Sequence, residues 1–458
     1  MYSTISRPGP FCTASSSSMN ETVLLLSGEE RIEAARRREA TITVVPRTRR
    51  RQYMFAALLL ACSYVMYVCI YLSLSFYPQV AARKKGSSAD TEVGVYIGGN
   101  QLAVAIASLI FGTYMNWIGA KFLLVSGSSL VAGCTLLFGF VDYINSWKPF
   151  IGLSIVIYFV MGFGQAAFLT TCNTVFVRIF PTRIATAWSA LAFTLGLGFV
   201  TGSPLGGLLY DSEGFTFPFV VVGSMFFLLI PILIIFPSDT YAESEESNAV
   251  NQVPMWPLVM MMPVLLVCAN TFVAYAPVSL LQTSLPLFLH KIFHWNASHI
   301  GLMFLVFGVV FVGSSIAVGV VIDATNPQAV MTIGLLTGGC GMMFVGPSFV
   351  FSFSPQPWLE YVSMAVIGLG TSMTVISVPI YMISTAISRG HEQNMALIAA
   401  VTGLANSAMF LSGVVAGPVG GVLTSSFGFQ YSTSFFAFAI FLLLFVNIVA
   451  KLVSSRQQ

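Results

Sequence analysis

Eleven stretches of this chain contain no Asp, Glu, Lys or Arg, and nothing else in the sequence constrains its fold as much. They cover residues 52–82, 93–120, 122–141, 149–177, 184–210, 214–238, 247–290, 292–322, 324–359, 361–388 and 393–450. A helix that crosses a bilayer needs about 20 consecutive, mostly apolar residues, and each stretch is long enough to hold one. The last must be split. Gly417-Pro418-Val419-Gly420-Gly421, followed by Ser425-Ser426-Phe427-Gly428, supplies the break. Twelve spans result. Charged residues make up 8% of the 458, against roughly 25% in soluble proteins, too few to cover a water-soluble surface. A disordered chain, a nucleic-acid binder and an ordinary cytosolic enzyme are excluded. A net charge of +3 offers little to a polyanion. Six of the seven cysteines lie in apolar runs without a CxxC or Cys/His cluster. They are expected as small buried hydrophobes, with no metal site and no cofactor.

Basic residues collect on the cytoplasmic side of membrane proteins. Arg36-Arg37-Arg38 and Arg47, Arg49, Arg50 and Arg51 precede the first span, which places the N-terminus in the cytoplasm. Twelve spans return the C-terminus to the same side. The polar stretch after the sixth span carries Asp239, Glu243, Glu245 and Glu246. The expected organisation is a cytoplasmic tail (1–52), a six-helix bundle (53–236), an acidic cytoplasmic linker (237–257), a second six-helix bundle (258–451) and a short cytoplasmic tail (452–458).

The two halves echo one another. Gly202-Ser203-Pro204-Leu205-Gly206-Gly207 returns as Gly417-Pro418-Val419-Gly420-Gly421, with Pro204 and Pro418 offset by 214. Gly214-Phe215 returns as Gly428-Phe429 at the same offset. Gly112-Thr113-Tyr114-Met115-Asn116 on span two answers Gly319-Val320-Val321-Ile322-Asp323 on span eight, offset by 207. Parallel halves around a midplane site are a transporter architecture. The sequence contains no GxxxxGK[ST] phosphate loop, so ATP is not expected as the energy source.

These residues resemble the major facilitator superfamily. Gly112-x-x-x-Asn116-x-x-Gly119-Ala120-Lys121 is similar to that family's loop between helices two and three, with Asn116 where an Asp is usual and Asp323 supplying the acid in the second half. Gly198-x-x-x-Gly202-Ser203-Pro204-x-Gly206-Gly207 and Gly413-x-x-x-Gly417-Pro418-x-Gly420-Gly421 resemble its antiporter motif. Phe76-Tyr77-Pro78, Lys84-Lys85-Gly86, Ile118-Gly119-Ala120-Lys121-Phe122 and Gly206-Gly207-Leu208-Leu209-Tyr210 are similar to the vesicular amine transporter family, in its vesicular polyamine branch. The resemblance implies an all-α membrane protein of twelve transmembrane helices in two pseudo-symmetric six-helix bundles. It also implies proton-driven antiport of an organic cation into acidic vesicles.

No Asp or Glu falls near the middle of any span, and Gln282 stands where the resemblance leads one to expect an Asp. Proton coupling, where present, is expected at peripheral acids such as Asp142 or Glu360. Tyr64, Tyr67 and Tyr71 share one helical face and suit cation–π contact with an amine, or simple packing. Gln165 and Asn173 on span four, Asn270, Tyr275 and Gln282 on span seven, Tyr381 on span ten and Asn406 on span eleven are cavity candidates. Each alternatively bonds to a neighbouring helix. Asn296-Ala297-Ser298 is a glycosylation acceptor on the lumenal side. Glu21, Leu25 and Leu26 resemble an acidic dileucine sorting signal for vesicles or lysosomes; the plasma membrane is the alternative location. The expected protein is a monomer whose partners are protons, an organic cation and the lipid bilayer. The rival readings are a facilitator or transporter of a neutral polar solute, and a membrane sensor or scaffold on a transporter fold.

Overall fold

The computed structural model describes residues 51–74, 76–86, 90–180, 183–235, 260–295, 297–346, 355–390 and 395–457. Glu21, Leu25, Leu26, Asn296 and the whole of the 237–257 linker therefore lie outside the described residues. Internal contacts divide the chain into Met1–Phe55 and Ala56–Gln458. Apart from residues 51–55, the helices belong to the second unit.

Among the described residues twelve long helices follow one another: α1 (Arg51–Tyr71), α2 (Asp90–Ile118), α3 (Ala120–Gly139), α4 (Trp147–Ile179), α5 (Ile184–Glu213), α6 (Thr216–Ile235), α7 (Met262–Phe293), α8 (Ala297–Ala324), α9 (Pro327–Phe344), α10 (Pro357–Ser388), α11 (Met395–Phe427) and α12 (Phe429–Gln457). Among the described residues, 11 are long and apolar enough to cross a membrane by themselves. The remaining one, α9, has 18 residues. Its glycines let it sit close to α10, Gly334 and Gly338 facing Gly370. A nine-residue helix, Tyr77–Lys85, continues from α1. Cys62, Cys69, Cys134 and Cys172 are buried, Cys268 and Cys340 partly so, and all six are free thiols.

The turns obey the repeat. Gly214 between α5 and α6 and Gly428 between α11 and α12 have φ of 85° and 96°, where a Cβ is disfavoured. Their amides donate to Tyr210 O and Thr424 O at 2.9 and 3.0 Å. The break in the last apolar stretch thus falls at Gly428. The Gly417–Gly421 segment stays helical, with Pro418 inside α11 and Pro204 inside α5.

Within the first half, α4 packs on α2 and α3, and α3 on α6; within the second, α10 packs on α8 and α9, and α9 on α12. The halves meet along two main seams, α5 on α8 and α2 on α11. The motif helices of one half therefore face those of the other. A further symmetry appears only in space. Phe76 meets Phe215 in the first half at 5.6 Å, and Phe288 stacks on Phe429 in the second at 4.3 Å.

Candidate substrate cavity and gates

The inner end of each helix is the end predicted to be cytoplasmic. Five helices converge on a slit at the centre. Tyr71 of α1, Phe199 of α5, Tyr275 and Gln282 of α7, Phe307 and Phe311 of α8 and Thr371 of α10 line it. Its volume is about 20 Å³, room for about one water. The helices here are closed on one another. The Tyr71 ring meets Phe199 edge-on at 5.0 Å and stacks on Tyr67 at 6.3 Å. Its hydroxyl faces that of Tyr275 across the slit. Small residues permit this approach. Gly198 and Gly202 sit against Tyr67 and Tyr71, and Gly196 and Gly308 against side chains of the opposing helix.

Three of the ten cavity candidates, Tyr71, Tyr275 and Gln282, line the slit. Tyr67 is buried behind Tyr71. Tyr64 is turned aside, its hydroxyl 3.1 Å from Thr201 Oγ1 of α5. Asn270 takes the alternative course, a bond to a neighbouring helix. It exchanges two hydrogen bonds with Asn447 of α12, at 3.0 and 2.7 Å, and is fully buried. Two buried amides satisfy each other more completely than either would alone, so α7 and α12 are tied there. Tyr381 also falls elsewhere. It borders a pocket of about 640 Å³ at the inner end, with Asn326, Ser384, Thr385 and Arg389. Gln165, Asn173 and Asn406 are buried but do not line the slit. Phe199, Phe307 and Phe311 escaped sequence reasoning, because nothing local separates them from the other 36 of the 39 phenylalanines.

The gate residues behave differently in the two halves. Asp323, at the inner end of α8, accepts from the Ala185 and Thr186 amides at 3.0 Å each, and from the Thr186 hydroxyl. These are free N–H groups in the first turn of α5, where a carboxylate also meets the positive end of the helix dipole. Gly319, one turn earlier, lies against Ser189 and the Ala185 carbonyl. In the first half Gly112 packs on Gly403 of α11. The Asn116 side chain makes no hydrogen bond among the described residues. Gly119, φ 94°, turns α2 into α3, and Lys121 follows it in the first turn of α3.

The peripheral acids are both engaged. Asp142 pairs with Lys84 at 2.9 Å, and Lys84 also donates to the Asp142 and Ile144 carbonyls. Glu360 is completely buried at the start of α10 and accepts from Gly346 N–H at 2.9 Å. Among the described residues no ion pair reaches it.

The comparisons agree with this geometry. The family model described as Major Facilitator Superfamily matches residues 53–405 and 267–457. The mouse MFS-type transporter SLC18B1 is 32% identical over 364 residues, covering 78% of this chain and 77% of that protein. The human MFS-type transporter SLC18B1 is 31% identical over 372 residues, covering 80% and 79%. In three dimensions the chain is similar to the human organic anion transporter MFSD10 (TETRAN), with a TM-score of 0.67 and 13% identity over 87% of this chain and 99% of that one. At that identity the likeness concerns the fold alone.

Proposed function

The chain belongs to the major facilitator superfamily, and we propose that it is a secondary active transporter of a small organic cation, a polyamine or another amine. On this reading it works across an intracellular vesicle membrane by proton antiport with alternating access. The observation that carries the reading is the make-up of the central slit. Two tyrosines, three phenylalanines, a glutamine and a threonine face it, and no Arg or Lys is there to receive a carboxylate or phosphate. Aromatic faces attract ammonium groups, more so when water is excluded, and the amide of Gln282 adds an acceptor.

Rocking of the two bundles would open the slit alternately to either side, with the Asp323 contact to α5 as the inner latch. Glu360 is the favoured proton site, because its carboxyl is wholly buried and free of any counter-charge among the described residues. Asp142, held by Lys84, is the weaker candidate. Monomeric action, glycosylation at Asn296 and vesicular sorting through Glu21, Leu25 and Leu26 belong to the same proposal. One observation favours a second reading: no acid lines the slit, as suits a facilitator of a neutral polar solute.

Proteoliposomes with an imposed pH gradient, offered labelled amines and labelled neutral solutes, decide between them. Amine uptake that collapses with the gradient is expected. Uptake indifferent to the gradient would sink antiport, and transport of neutral solutes alone would sink the cation.

A further inference from the structure

The pocket of about 640 Å³ at the inner end takes no part in the slit or the latch. Its volume falls in the roughly 300–1,000 Å³ range of small-molecule sites. Three elements of the second bundle wall it: Pro263 at the start of α7, the α8–α9 turn Thr325-Asn326-Pro327, and the last turns of α10 from Tyr381 to Arg389. It shares no lining residue with the slit. Its charge is of one sign. Arg389 lines it, the guanidinium without a partner among the described residues, and no Asp or Glu does.

The neutral groups divide into donors and acceptors. Asn326 Oδ1 accepts from Gln328 N–H at 2.9 Å, which leaves Nδ2 free to donate. The Tyr381 hydroxyl is likewise unbonded among the described residues. Ser384 and Thr385 already donate to Tyr381 O at 2.9 and 2.7 Å, and Ser388 to Thr385 O at 2.8 Å. With its proton spent, each of these hydroxyls can only accept from a ligand. One cation, two neutral donors and three acceptor oxygens suit a phosphate ester that carries hydroxyls of its own. The depth of the pocket indicates the source. The charge-free stretches 324–359 and 361–388 begin and end here, and Arg389 is the first charge past the second. Headgroups begin where such spans leave the hydrocarbon. Met262 and Ile387, next in sequence to Pro263 and Ser388, are 76 and 40% exposed, apolar surface for acyl chains. The inner end is the predicted cytoplasmic end, and cytoplasmic leaflets carry the anionic lipids.

We propose that this pocket binds the headgroup of an anionic phospholipid whose phosphate is esterified to a polyol, as in phosphatidylinositol. The phosphate accepts from Arg389, Tyr381 and Asn326, and the headgroup hydroxyls donate to Ser384, Thr385 and Ser388. Bound there, the lipid joins the end of α10 to the α8–α9 turn, which begins two residues past the Asp323 latch. The site is independent of what the slit carries, so it stands or falls separately from the organic-cation reading.

The test titrates lipid into the full-length chain in detergent and follows its melting temperature. The probes are dioleoyl phosphatidylinositol, phosphatidylserine and phosphatidylcholine, and soluble inositol 1-phosphate. Phosphatidylinositol is expected to stabilise the wild type most. Phosphatidylserine, equal in net charge but without the ring hydroxyls, should bind about threefold more weakly. Arg389→Gln should weaken phosphatidylinositol about tenfold, the order of a lost charge-assisted hydrogen bond, and Tyr381→Phe about threefold. Without lipid both variants should melt within about 2 °C of the wild type. Arg178→Gln, at the inner end of α4, should leave the affinity within about twofold. No weakening by Arg389→Gln, or as much by Arg178→Gln, would mean general attraction to anionic lipid and would overturn the pocket. Equal binding of phosphatidylserine would overturn the polyol headgroup. Stabilisation by inositol 1-phosphate as strong as by the lipid would overturn the membrane source.

Discussion

The two seams between the bundles descend from the same repeat and differ in chemistry. Along α5–α8 the contact is apolar, with Gly196, Gly308 and Gly319 letting side chains of the facing helix close in. It ends in a charged latch, Asp323 on the first turn of α5. Along α2–α11 the glycine Gly403 touches backbone rather than side chains. Thr402 and Ser407 beside it are hydrogen-bonded, and the latch position holds the neutral Asn116. One seam grips at its inner end through a carboxylate; the other closes backbone on backbone. A repeat in sequence therefore does not imply equal work in the two halves.

The largest expected effect attacks the closest contact. In Gly403→Leu the new side chain runs into the α2 backbone at Ser108 and Gly112, which cannot turn aside as a side chain can. Uptake should fall more than tenfold, and cysteine pairs placed across the inner ends of α2 and α11 should cease to cross-link. Near-normal cross-linking would show that this seam is looser than the glycine suggests.

Removing the latch comes next. Asp323→Ala takes three hydrogen bonds from the end of α5, a loss comparable to that of a helix cap, so the balance between inner-closed and inner-open states should shift by about fivefold to tenfold. Accessibility of an inner-end cysteine to a polar thiol reagent reads that shift. Asn116→Ala should stay within about twofold. Equal effects at the two positions would erase the contrast between the seams.

The smallest effect compares the two antiporter-like motifs. A Cβ at Gly202 would press on Tyr71 and the Val68 backbone at 3.2 Å, whereas Gly417 has nothing within 4 Å. Gly202→Ala should lower the melting temperature. Gly417→Ala should raise it slightly, since alanine favours a helix by about 1 kcal/mol over glycine. A stabilised Gly202→Ala would contradict the tight α1–α5 packing.

Much of this was legible in the sequence, and the reason differs from residue to residue. Gly214-Phe215 and Gly428-Phe429 stood out as a repeat, and the structure places a left-handed glycine turn at each. Asp323 stood out because it answers Asn116 in the repeated segment, an acid where the first half has an amide. Asn270 left two courses open, the cavity or a neighbouring helix. Its partner Asn447 lies 177 residues away, and helical periodicity fixes a face without naming the helix it meets. Tyr275, five residues further along the same helix, points into the slit instead.

The sequence alone determined the apolar spans, the twofold repeat and the glycine-bearing break in the last stretch. Each follows from local physics: transfer of apolar side chains into lipid and the backbone freedom of glycine. Only the tertiary structure decided which polar groups meet a neighbour, which line the slit and which are left without a partner. Those outcomes depend on how the helices of two bundles register against one another, and that register is set by many packing contacts at once.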